Sequence, residues 1–68
     1  MYPNLRAEIA RRGVTLSQLA EVIGVTLQTM SKKINGGSEF TLNEAYAIKD
    51  FLGVDAPIEE LFKKAVSA

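Results

Sequence analysis

Sixty-eight residues without a cysteine or a histidine exclude a disulfide framework, thiolate metal ligation, and the commonest general base and zinc ligand. A hydrophobic content of 47% with few aromatics suits one small core that buries about 60% of the unfolded surface, and predicts a single domain over 1–68. Eight basic and eight acidic residues cancel overall, yet 1–35 holds five basic against two acidic residues and 36–68 three against six, an asymmetry that hints at a polyanionic partner.

In chain order, apolar spacing and end signals predict helices over 3–12, 16–23, 27–35, 42–52 and 57–66, and no segment alternates long enough for a strand. The first carries Leu5 and Ile9 inward, with Arg11 and Arg12 at the negative end of its dipole and Glu8 able to pair with Arg12. The second opens on Thr15-Leu16-Ser17-Gln18, a capping box with Val14 and Leu19 as its staple. Its apolar stripe is Leu16, Leu19, Ala20 and Ile23. The third starts at the N-cap candidate Thr26 and packs through Met30 and Ile34. The fourth opens on a second capping box, Thr41 to Glu44, and carries Ala45, Ile48, Phe51 and Leu52. The fifth carries Ile58, Leu61, Phe62, Ala65 and Val66, with Glu59 and Glu60 at its start and Lys63 and Lys64 at its end, a charge order that complements the helix dipole. Gly13, Gly24, Gly36 and Gly53 each follow a periodic segment, as C-terminal caps do. Tyr2 and Tyr46 read as half-buried packing residues.

Only Gly24, Val25 and Thr26 separate the second and third helices. A turn of that length with a glycine, between two steeply angled helices, is a helix-turn-helix, whose second helix enters the major groove of DNA. Placed at 100° per residue, Leu27, Met30 and Ile34 share one side, Gln28, Thr29 and Lys32 lie roughly opposite, and Ser31, Lys33 and Asn35 flank them. Gln28 suits a bidentate bond to an adenine edge, Thr29 a base or a thymine methyl, and Lys32 a guanine or a phosphate. Lys33 and Asn35 suit backbone phosphates. Leu27 stands between packing and touching a thymine methyl.

"LSQLAEVIGVTLQTMSKKING" resembles the Cro/repressor-type helix-turn-helix family, also called the XRE family, through Leu19-Ala20, Gly24, Val25 and Asn35-Gly36. "FTLNEAYAIKDFLGV" resembles the fourth helix of its compact phage and prophage branch. The resemblance implies an all-α, five-helix, lambda-repressor-like DNA-binding domain, with the helix-turn-helix over about 16–35. It implies a transcriptional regulator, usually a dimer on a palindromic operator. It places Gln28, Thr29, Lys32 and Leu27 at base-reading positions, and Thr15, Ser17, Asn35 and Thr41 at phosphates. A free helix N-terminus at Thr41 is physically suited to a phosphate.

The expected partner is therefore double-stranded DNA, bound by a homodimer that pairs through helix five or the 36–40 loop. No cofactor, metal, small-molecule substrate or enzymatic activity is expected. No apolar run approaches the roughly 20 residues of a membrane span, and "MYPNLRAEIARRG" lacks the apolar core of a signal peptide, so a soluble cytoplasmic location is expected. The alternative is a protein-interaction module of the same fold, like an antitoxin or antirepressor, for which the zero net charge and acidic C-terminal half speak.

Overall fold

The computed structural model describes residues 1–64. Among them are five helices and no strand: α1 (Pro3–Arg11), α2 (Leu16–Ile23), α3 (Leu27–Ile34), α4 (Leu42–Leu52) and α5 (Ile58–Leu61). None is long and apolar enough to cross a membrane. The all-α, five-helix expectation holds, and four of the five helices fall within a residue of their expected bounds.

The helix starts are set by side chains. The Gln18 N–H donates to Thr15 Oγ1 at 3.2 Å, and the Thr15 N–H donates to Gln18 Oε1 at 2.8 Å. Thr41 and Glu44 repeat this exchange at 3.1 and 2.9 Å. At α3 the Thr29 N–H donates to Thr26 Oγ1 at 3.1 Å. Each such cap stabilises its helix by about 1 kcal/mol, which matters for helices of eight residues that do not persist alone.

The helix ends share one device. At α1 to α4 a left-handed glycine follows the last turn, and the next N–H reaches back to a carbonyl five positions earlier: Val14 to Ile9, Val25 to Ala20, Gly37 to Lys32 and Val54 to Lys49. This is the Schellman pattern, and at α1, α2 and α4 the residue after the glycine is a valine that covers apolar surface. It accounts for Val54, which is 7% exposed and which helical periodicity alone does not reveal. Gly24 sits at φ 73° with nothing within 4 Å of a Cβ placed there. Gly24→Ala therefore meets backbone strain and no clash. We expect a loss of about 1–2 kcal/mol, read as a lower urea midpoint with an unchanged slope.

The five side chains buried most completely come one from each helix: Leu5, Leu19, Met30, Ile48 and Leu61. α2 packs on α3 and α4, α4 on α5, and α5 on α1. The core holds a second feature at Tyr2. Its backbone is left-handed, φ 56° and ψ 60°, a strain on the order of 1–3 kcal/mol for a non-glycine residue. Pro3, at the first helical position, fixes the chain's entry into α1. The Tyr2 ring meets Phe40 edge-on at 5.4 Å and Phe62 at 6.0 Å, and Phe40 meets Phe62 at 5.2 Å. The two edge-to-face pairs that Tyr2 makes, at about 0.5–1.5 kcal/mol each, offset that strain. Tyr2 is thus fully buried, not half-buried, while Tyr46 is exposed.

Two further expectations are corrected. Phe51 is exposed, because Ala45, Ile48 and Leu52 fill the buried stripe of α4 and position 51 lies about a quarter-turn away from its centre. Helix five stops at Leu61: the chain leaves the helical path at Phe62, whose ring joins the aromatic triangle. Glu59 and Glu60 do occupy its first turn, but Lys63 and Lys64 lie past its end. There Lys64 Nζ donates to Glu39 Oε1 at 2.7 Å. Ala65 and Val66 lie outside the described residues.

Candidate nucleic-acid interface

The turn between α2 and α3 is short because Gly24 closes α2 and Thr26 caps α3 with one residue between them. That residue, Val25, turns its side chain onto the core. The sequence thus builds a rigid corner. Met30 and Ile34 anchor α3 from below. On the opposite side stand Gln28, Lys32 and Asn35, all exposed and spaced i, i+4, i+7, so they form one strip along the helix. α3 contains no acidic residue.

Among the described residues, the Gln28 amide and the Lys32 ammonium have no hydrogen-bond or ion-pair partner, so both are open to a ligand. The stem of Lys32 runs across Gly37, where a Cβ would stand 2.9 Å from Lys32 Cγ. Thr29 is half-buried, and its hydroxyl accepts from Thr26 Oγ1 at 3.0 Å, which leaves its own hydrogen free to donate. Leu27 is 51% exposed, so it does not join Met30 and Ile34 in the core.

Lys33 departs from expectation. It is 8% exposed, and its ammonium turns inward. It donates to the Glu39 carbonyl at 2.9 Å, pairs with Glu44 Oε1 at 3.2 Å, and stands 5.8 Å from the centre of the Phe40 ring. A phosphate cannot share those donors without dismantling the contact, so Lys33 leaves the expected phosphate-contacting set. Position 33 follows Met30 by three residues and so shares its side of the helix. The Thr41 N–H bond, with help from Lys33, holds the Glu44 carboxyl below its ordinary value of 4.5 against the opposing effect of burial.

The remaining expected residues flank the strip. Thr15 is exposed and its hydroxyl serves the α2 cap, while Ser17, in the first turn of α2, is exposed with no side-chain partner among the described residues. Thr41 is exposed, but its N–H is given to Glu44, so the unused donors at the start of α4 are those of Leu42 and Asn43. Lys33 pairs with Glu44 there at 3.2 Å. Glu39, in the loop before α4, is matched by Lys64.

Sequence reasoning missed Arg6. Its Nη2 donates to Asn35 Oδ1 at 2.6 Å, tying α1 to the C-cap of α3 across 29 positions, a separation no local pattern reveals. Arg11 and Arg12, by contrast, both pair with Glu8, at 2.7 and 3.2 Å.

Compared with known families, residues 4–63 match the Cro/C1-type HTH DNA-binding domain. No curated protein and no solved structure matches the chain.

Proposed function

Because the chain belongs to the Cro/C1-type helix-turn-helix DNA-binding family, whose lambda-repressor-like fold its five helices fit, we propose a specific role for it. It is a sequence-specific regulator of the phage or prophage repressor type, and it occupies a palindromic operator and blocks polymerase. Residues 1–68 act as one helix-turn-helix domain, with the motif over about 16–35. The observation that carries this reading is the strip Gln28, Lys32 and Asn35 on α3. It is exposed, free of acids, and its first two members have no partner among the described residues.

In this reading Gln28 bonds an adenine edge, Lys32 a guanine or a phosphate, and Thr29 and Leu27 meet a thymine methyl. Thr15, Ser17, Asn35 and the start of α4 at Thr41 position the backbone. A single module of this size covers only about 600–1,000 Å² on DNA. A homodimer doubles that, and it sets α3 and its copy into half-sites about 34–36 Å apart.

Selection of bound sequences from a random duplex pool is the direct test: a two-fold symmetric consensus is expected. Against that consensus, Gln28→Ala should cost about 1–3 kcal/mol and relax the preference at one position of each half-site. If duplex binding proves insensitive to salt, phosphate contacts are absent and the protein-interaction reading replaces this one.

A further inference from the structure

Between α1 and the helix-turn-helix runs an open groove of about 290 Å³, lined by Arg6, Ile9, Ala10, Leu16, Ile34 and Asn35. Arg6 is the sole charged residue among them. Three observations bear on it. No carboxylate of the described residues pairs with it, as none pairs with Lys32, Lys49 or Lys63, whereas Arg11, Arg12, Lys33 and Lys64 each have one. Its guanidinium is nevertheless held in place, by Nε to the Met1 carbonyl at 3.2 Å and by Nη2 to Asn35 Oδ1 at 2.6 Å. Asn35, in turn, ends the exposed strip of α3, seven positions after Gln28.

We propose that this groove receives the DNA sugar–phosphate backbone at the flank of the reading strip, with Arg6 as its phosphate anchor. The inference rests on the DNA-binding reading above and deepens it. Two of the five guanidinium donors are occupied and the others remain for a phosphate, which a planar fork can grip in two places. Arg6 takes the Asn35 oxygen, and the Asn35 amide N–H donors have no partner among the described residues, which leaves them for the same phosphate. The apolar floor, Ile9, Leu16 and Ile34, suits the carbon face of a deoxyribose. Charge complementarity selects the occupant: a cation without a counter-ion, beside an acid-free helix, is matched by a polyanion.

The experiment measures the salt dependence of duplex binding for the intact chain and for Arg6→Gln, Arg6→Lys and Asn35→Asp. The wild type should show a steep negative slope of log K against log salt. Arg6→Gln should flatten that slope by about one and weaken all sequences alike. Arg6→Lys should keep the slope, because the charge remains. Asn35→Asp keeps a partner for Arg6, so the fold is retained, and should also flatten the slope, because the new carboxylate neutralises the guanidinium. If Arg6→Gln lowers only the melting temperature and keeps the wild-type slope, Arg6 is a brace between helices and this proposal fails alone. A wild type with no salt-dependent binding overturns the proposed function and this inference together.

Discussion

Replacing Lys33 with alanine lowers the free energy of unfolding by about 3 kcal/mol. Breaking a buried ion pair by removing one partner costs about 3–5 kcal/mol. The lower end applies here because the Glu44 side chain keeps 18% of its exposure, so water reaches part of the orphaned carboxylate. The loss has three parts: the pair with Glu44, the hydrogen bond to the Glu39 carbonyl, and the packing of the lysine stem beside Phe40. The double variant Lys33→Met with Glu44→Gln separates them. It removes both charges, keeps an acceptor for the Thr41 N–H, and retains an apolar stem of similar length. Replacing both partners together is often nearly neutral, so the double variant should be more stable than the single. Chemical unfolding of the three proteins, read as midpoints at constant slope, measures the coupling. A single variant as stable as the wild type would show that the pair contributes nothing.

The same pair has a pH signature. Glu44 is held below its ordinary value of 4.5, first by the Thr41 N–H and then by Lys33. A carboxyl depressed in the folded state contributes stability that is present above the unfolded pKa and is lost as pH falls through the folded one. The wild type should therefore weaken on acidification below about pH 4.5, and the double variant should lack that component.

The parts of this fold that were legible from sequence are those governed by neighbours in the chain. Capping boxes need residues three apart, and the Schellman ends need a glycine and the residue after it, so Thr15, Thr41 and Gly24 announced their roles. Val54 was legible in principle, as the position following Gly53, but a search for stripes of three and four passes over it. Lys33 shows the limit of residue type as a guide. Periodicity placed it at the flank of the outward face and its charge argued for solvent, although its three-residue spacing from Met30 also brings it toward the buried side. Only the arrival of Glu44 and the Glu39 carbonyl from beyond the next loop resolves that conflict. Tyr2 and Arg6 likewise depend on partners far along the chain, Phe62 for one and Asn35 for the other. The outward strip on α3 was half legible. Gln28 and Lys32 were placed by periodicity; Thr29, placed with them, is half-buried, and Asn35, expected at the flank, is exposed and in line with them.

Met30 lies directly beneath that strip with no exposed surface, which makes it the position where stability and recognition part company. Met30→Ala removes most of a fully buried side chain and should cost about 2–5 kcal/mol. A chain of this length commands roughly 3–10 kcal/mol in total, at about 0.05–0.15 kcal/mol per residue, so the variant should melt roughly 8–40 °C lower, at about 4–8 °C per kcal/mol. Met30→Leu conserves volume and should cost less than about 1.5 kcal/mol. The loss of DNA binding in Met30→Ala should be of a different kind from that in Gln28→Ala. The alanine at position 30 leaves every reading side chain in place and only depletes the folded population. Saturating duplex should then restore folding, by about 2.7 kcal/mol at a hundredfold excess over Kd, and cooling toward the stability maximum should recover affinity. Gln28→Ala removes a contact, and its deficit should persist in fully folded protein at every temperature. Melting curves with and without a saturating duplex of the selected consensus distinguish the two. Were Met30→Ala to melt within a few degrees of the wild type, Met30 would not be the support of the reading helix. Were it folded yet unable to bind, the strip's geometry would depend on the shape of the core beneath it as well as on the stability of the fold.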